Sequence, residues 1–139
     1  MILENAGWYP GRKIDISYML ESLRREGFHL PNATVKEVLE EFGNIKLLFN
    51  KPDGTASSFQ INIDVAIRNL SSEIVSCYEL IVHEKLVPCG VLEFGSALFL
   101  MSYSGKGFMA YEEQFYQIGN SFVESLSAIV FQRDILSMF

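Results

Sequence analysis

After Gly43 the spacing of apolar residues changes from 3.6 to 2, and that change divides the chain into stretches that must fold differently. Before it, Ile16, Met19, Leu20 and Leu23 fall at i, i+3, i+4 and i+7 behind Asp15, and Gly27 offers a left-handed stop. Val35, Val38, Leu39 and Phe42 repeat the stripe after Pro31, with Asn32 at the helix start, Thr34 and Glu37 at capping-box spacing, and Gly43 at the end. Beyond it, Ile45, Leu47 and Phe49 alternate with Lys46, Leu48 and Asn50. The turn residues Pro52, Asp53 and Gly54 follow, and Phe59, Ile61 and Ile63 resume the alternation. A period of 2 sends successive side chains to opposite faces, so this stretch reads as a β-hairpin whose second face carries Gln60, Asn62 and Asp64.

Further along, Ile74, Tyr78 and Ile81, with Val75 and Val82 beside them, predict a third helix between Ser71 and Lys85. Residues 87–95, 97–103 and 107–112 read as three short strands, the last two joined at Ser104, Gly105 and Lys106. Ser121 and Glu124 have capping-box spacing ahead of Phe122, Leu126, Ile129 and Val130, which predicts a closing helix. Helices at both ends of a central run of strands describe an α+β fold: a central antiparallel sheet of about five to six strands flanked by N-terminal and C-terminal helices, in one domain over 1–139. With 49% hydrophobic residues the chain has material for an ample core, and the aromatic residues Phe94, Phe99, Tyr103, Phe108, Tyr111, Phe115 and Tyr116 are expected to fill it.

The residues that usually carry chemistry do not assemble. Cys77 and Cys89 lack C-x-x-C spacing and suit two small buried thiols. His29 lies in an interhelical loop and His83 near the end of the third helix, positions that suit surface or dipole-stabilised histidines. No G-x-S-x-G surrounds Ser96 or any other serine. Ser104 to Gly107 reads SGKG, yet it joins two strands where a phosphate loop must lead into a helix. The acid pairs Glu40/Glu41 and Glu112/Glu113 are adjacent residues that diverge, so no metal, cofactor or catalytic set is expected. No apolar run approaches the roughly 18 residues a membrane span needs, and MILENAGW lacks a basic, apolar leader, so a cytoplasmic protein is expected.

Charge narrows the partners. The formal net charge is -6, and it is uneven: residues 1–60 carry eight acids and seven bases, residues 61–139 nine acids and four bases. Phosphate neutralisation by Lys and Arg dominates nucleic-acid affinity, so this balance argues against direct nucleic-acid binding and suits a basic protein partner.

Specific residues then point to a family. Ala6 to Arg12 reads A-G-W-x-P-G-R with Asp15 close behind, and Leu39 to Gly43 reads L-x-x-F-G. Val87-Pro88-Cys89-Gly90 begins a strand, Ser104 to Gly107 makes a small turn, and Ile118-Gly119-Asn120-Ser121-Phe122 precedes Glu124 and Leu126. In this order they resemble the SUKH superfamily, in particular its third immunity subfamily. Asn44 stands where that family usually has a second glycine, and Cys89 replaces a commoner aliphatic residue. The resemblance implies a helix-flanked antiparallel sheet and a non-enzymatic role, that of holding a cognate polymorphic toxin, often a nuclease or deaminase, in an inactive complex.

Within that reading Trp8, Gly11, Gly43, Gly90 and Gly119 are structural positions, Trp8 closing the open end of the core. Arg12 either pairs with Asp15 or another acid, or offers its fork to a partner carboxylate. The partner-binding acids are expected to be Asp64 closing the second strand, Glu93 in the third, and Glu112 and Glu113 leaving the fifth. Exposed edge strands and the high apolar fraction leave a homodimer open. Two other readings stay open on sequence: a scaffold or regulatory module of the same fold, and a small enzyme whose site unites distant residues such as a histidine with a serine or cysteine.

Overall fold

The structure, a computed structural model, describes residues 2–131 and 136–137. The constraint that organises it is the pair of strands β3 (Leu86–Leu92) and β4 (Ala97–Ser102). All seven residues of β3 are buried, as are all of β4 except the half-buried Leu98. Strands with no polar face must lie inside a sheet that is covered on both sides. The sheet places them there: the order is β1-β2-β3-β4-β5-β6-β7, every neighbouring pair antiparallel. The other strands are β1 (Lys46–Asn50), β2 (Ala56–Ile61), β5 (Gly107–Tyr111), β6 (Gln114–Gly119) and β7 (Leu136–Ser137).

Six helices, among the described residues, supply the cover: α1 (Ile2–Asn5), α2 (Ser17–Arg25), α3 (Ala33–Phe42), α4 (Ile63–Ile67), α5 (Ser72–Val82) and α6 (Phe122–Phe131). Each face has its own aromatic cluster. On one, Phe122 of α6 meets Phe42 of α3 at 4.5 Å between ring centres and Phe99 of β4 at 6.1 Å, while Phe59 and Phe99 meet edge to face at 5.0 Å. On the other, Tyr78 of α5 stacks on Phe115 at 4.4 Å, and Phe115 stacks on Phe108 at 5.3 Å. Offset and edge-on pairs of this kind add to the apolar burial that holds sheet to helix. The α+β expectation therefore stands.

α6 comes close to the sheet because two glycines leave room for it. Gly107 and Gly119 are paired partners in β5 and β6, and the fully buried Ser125 of α6 lies over them. A Cβ on Gly119 would lie 2.5 Å from the Ser125 backbone nitrogen, a clash no rotamer change relieves. The start of α6 follows the spacing of its residues: the Ser121 hydroxyl accepts from the Glu124 N–H, and the Glu124 carboxylate accepts from the Asn120 N–H.

Several local expectations are corrected. Asn32, not Thr34, caps α3, accepting from the Val35 N–H at 3.1 Å, and its amide also donates to the Tyr103 carbonyl. Asn62 likewise caps α4, so Ile63 and Asp64 begin a helix instead of ending a strand. Gly43 ends α3 with φ -55, and Asn44 takes the left-handed conformation at φ 65. Ile74 is exposed, and Val75 is the residue that α5 buries. β6 adds a strand that the sequence does not announce, because its turn from β5 uses Glu112 at φ 54 where a glycine or asparagine usually signals the hairpin. Cys77 is exposed, so only Cys89 is a buried thiol, with its pKa pushed up to about 12 by burial.

Two outcomes follow. Gly119→Ala should lower stability by about 1–3 kcal/mol, through overpacking against the α6 backbone, as read from the urea midpoint. In the native protein at neutral pH a disulfide reagent should titrate one thiol, Cys77, and in denaturant two; burial keeps Cys89 protonated and out of reach.

Candidate functional site

The N-terminal signature is occupied inside the fold. Gly11, at φ 82, turns the chain so that Arg12 reaches the end of α3. There its guanidinium donates to the carbonyl of Glu41 at 2.5 Å and to that of Gly43 at 2.8 Å. The last carbonyls of a helix lack partners within it and carry the negative end of its dipole, so a cationic fork satisfies both needs. Trp8 joins the same junction: its indole N–H donates to the Glu41 carboxylate at 2.9 Å, and its ring lies parallel to Phe42 with centres 6.5 Å apart. Asp15 is occupied elsewhere, accepting from the hydroxyl and N–H of Ser17, which lower its pKa. Arg12 therefore meets backbone carbonyls rather than Asp15.

In a sheet of antiparallel neighbours the turns alternate between its ends, and three turns fall at one end: Lys51–Thr55, Glu93–Ser96 and Glu112–Glu113. Together they carry four carboxylates, on Asp53, Glu93, Glu112 and Glu113, against one ammonium, on Lys51. Glu93 belongs to the turn after β3 rather than to the strand, and it pairs with Lys51 at 2.7 Å. Asp53 accepts from the hydroxyl and N–H of Thr55, which hold its pKa below the usual range. Glu112 and Glu113 are exposed to solvent on their turn. Asp64 is exposed in the first turn of α4, which starts at the opposite end of β2. The structure thus brings Glu93, Glu112 and Glu113 to one end and leaves Asp64 apart.

The turn that holds Glu93 has a feature that sequence reasoning misses. Glu93, Phe94 and Gly95 are left-handed in succession, with φ of 53, 56 and 96. Phe94, expected in the core, is 63% exposed at the tip. Side chains disfavour this conformation, so it persists only when its surroundings impose it. Three contacts do so: the Phe94 N–H donates to the buried Ser58 hydroxyl at 2.8 Å, the Ser96 hydroxyl donates to the Glu93 carbonyl at 2.9 Å, and Lys51 holds the Glu93 carboxylate. Phe94 also lines a cleft of about 500 Å³ between α4, α5 and the sheet, with Leu70, Ile74 and Leu98 among its other apolar residues and Arg68 and Glu112 among its charged ones.

With this geometry in view, the comparison with known proteins is decisive on one point. A family model described as SUKH-3 immunity protein matches residues 1–132. The chain belongs to the SUKH-3 immunity protein family. No curated protein and no solved structure matches it. Membership in an immunity family implies a cognate toxin as partner and a role other than catalysis.

The remaining features of this SUKH-3 chain are local. His29 lies 3.2 Å from the Glu79 carboxylate, and His83 ends α5 at φ 59, its N–H bonded to the Glu79 carbonyl. No group of His, Cys, Asp and Glu able to hold a metal occurs among the described residues, and none of their helices is long and apolar enough to cross a membrane. Asn44, in the place of the second glycine, adopts the left-handed conformation that asparagine tolerates, and its N–H donates to the Ile61 carbonyl at 2.7 Å. Edge strand β1 shows Leu48 to solvent between Lys46 and Asn50.

Replacing Arg12 tests its assignment to α3. Arg12→Lys keeps the charge but loses the fork and should cost about 1–2 kcal/mol, and Arg12→Ala about 2–3 kcal/mol, since both carbonyls lose a charged donor. Urea denaturation followed by the fluorescence of Trp8, which shares the junction, reads both values.

Proposed function

We propose that this SUKH-3 protein neutralises its toxin by stoichiometric, non-enzymatic binding in the cytoplasm, and that the toxin is a basic domain acting on nucleic acid. Family membership carries the reading. Charge supports the choice of toxin. A protein that acts on nucleic acid needs a cationic groove, and a chain of net charge -6 is attracted to it. The binding surface proposed is the sheet end bearing Glu93, Glu112 and Glu113, with Asp64 adding to the field from the other end. Arg12 is not given a partner role, since its donors serve α3.

Glu112 and Glu113 are the most telling pair, because both are exposed and, among the described residues, neither side chain makes a hydrogen bond or ion pair. Coexpression of this chain with candidate toxin domains, beginning with any encoded beside it, should restore growth for one of them, and the purified pair should form a one-to-one complex. Glu112→Lys with Glu113→Lys should slow association about 10-fold or more at low ionic strength and flatten its salt dependence, while Asp64→Lys does less. Unchanged association with both carboxylates reversed would remove these residues from the interface. Failure of the wild-type chain to bind or rescue would remove the toxin reading itself.

A further inference from the structure

We infer that Phe94 is the anchor of the toxin interface, entering an apolar pocket of the toxin that is rimmed by lysine or arginine; the inference rests on the binding reading above. Four observations converge on it. Phe94 is 63% exposed, although a phenylalanine gains most from burial. It is displayed by two successive non-glycine residues in left-handed backbone followed by Gly95, a conformation that costs free energy and that Ser58, Ser96 and Lys51 hold in place. Phe94 helps to line a cleft of about 500 Å³, so a partner that takes the ring can also lay a side chain against Ile74 and Leu98 in the same cleft. Carboxylates on Asp53, Glu112 and Glu113 share the ring's end of the sheet, and Lys51, the one base among the three turns, is already committed to Glu93.

An exposed aromatic side chain with charged turns at the same end of the sheet has the composition of an interface hot spot with its polar rim. The rim fixes the sign of the partner. Docking a neutral or acidic apolar pocket would strip water from three carboxylates without replacement, whereas a rim of lysine or arginine meets them. Arg68, on the wall of the cleft, gives the partner a place for one carboxylate of its own.

The test uses the full chain and candidate toxin domains, beginning with any encoded beside it. Phe94→Gly suits the left-handed position, so the melting temperature should hold or rise, while toxin affinity falls about 30-fold or more, chiefly through faster dissociation. Phe94→Tyr should stay within about threefold of wild type, since the ring remains. Wild-type affinity in Phe94→Gly, with Glu112→Lys/Glu113→Lys still impaired, would overturn the anchor and leave the immunity reading standing. A marked fall in the melting temperature of Phe94→Gly would make Phe94 a packing residue and overturn it as well. A wild-type dimer in light scattering that Phe94→Gly dissociates would overturn it too, by assigning the patch to a second copy of this chain. No complex with wild-type protein would overturn both readings together.

Discussion

β3 and β4 have no polar face, and the rest of the structure is a response to that. A strand that is apolar on both sides cannot lie at the surface of a sandwich or at an edge, so the sheet needs neighbours to either side and helices above and below. α3 and α6 meet that need on one face through Phe42 and Phe122, and α5 on the other through Tyr78. Once the helices are committed to covering β3 and β4, little is left to cover the sheet end where the three turns lie. That end is where the charge, the strained backbone and the exposed ring accumulate. Burial of the centre and availability of the rim are thus two sides of one constraint.

The N-terminal signature solves the second problem of the fold, which is how a helix stops where a strand must start. The chain leaves α3 at Phe42 and enters β1 at Lys46, with three residues for the change of direction. Gly43 has no room for a side chain, its Cβ position lying 2.4 Å from the Leu39 carbonyl oxygen, and Asn44 supplies the left-handed step. The carbonyls of Glu41 and Gly43 then face outward without helical partners, and Arg12 takes both. Trp8 closes over Phe42 and binds the Glu41 side chain, so backbone and side chain of one residue are held by two residues of one short segment. The sequence marks Trp8 as structural and leaves Arg12 open between a pairing within the fold and a partner carboxylate. Here they make a joint.

What could be read from the sequence follows from how local each signal is. The stripe of α2, the alternation of β1 and the Ser121–Glu124 cap are set by neighbours a few residues apart, and they fold as their spacing says. Asn62 shows where local reading fails: the alternation through Ile61 and Ile63 continues past a residue whose side chain can end a strand by capping a helix, and the cap prevails. β6 and Phe94 depend on backbone that its residues do not advertise. Glu112, Glu93 and Phe94 are poor left-handed residues, so nothing in their identity marks a turn. Only tertiary braces such as Ser58, 36 positions from Phe94, make the conformation stable. Among the candidate site residues, the acids are visible in the sequence as charge, but their gathering at one end depends on the true strand count.

Charge and ring would do different work on the proposed surface. Exposed carboxylates act over about 8–10 Å at physiological salt, far enough to orient an approaching basic protein, yet their contribution is screened and modest once contact is made. A phenyl ring acts only at contact, where its burial slows departure. An inhibitor that must find its target before the target finds nucleic acid needs the first property, and one that must keep hold of it needs the second. The same end of the sheet offers both because antiparallel pairing puts alternate turns side by side, which brings Glu112 and Glu113 within one strand pair of Phe94. The left-handed run at Glu93 and Phe94 is the cost of that arrangement: it holds the ring exposed beside the cleft that the ring itself helps to line, and without an exposed ring the negative rim would attract a partner with little apolar contact to keep it.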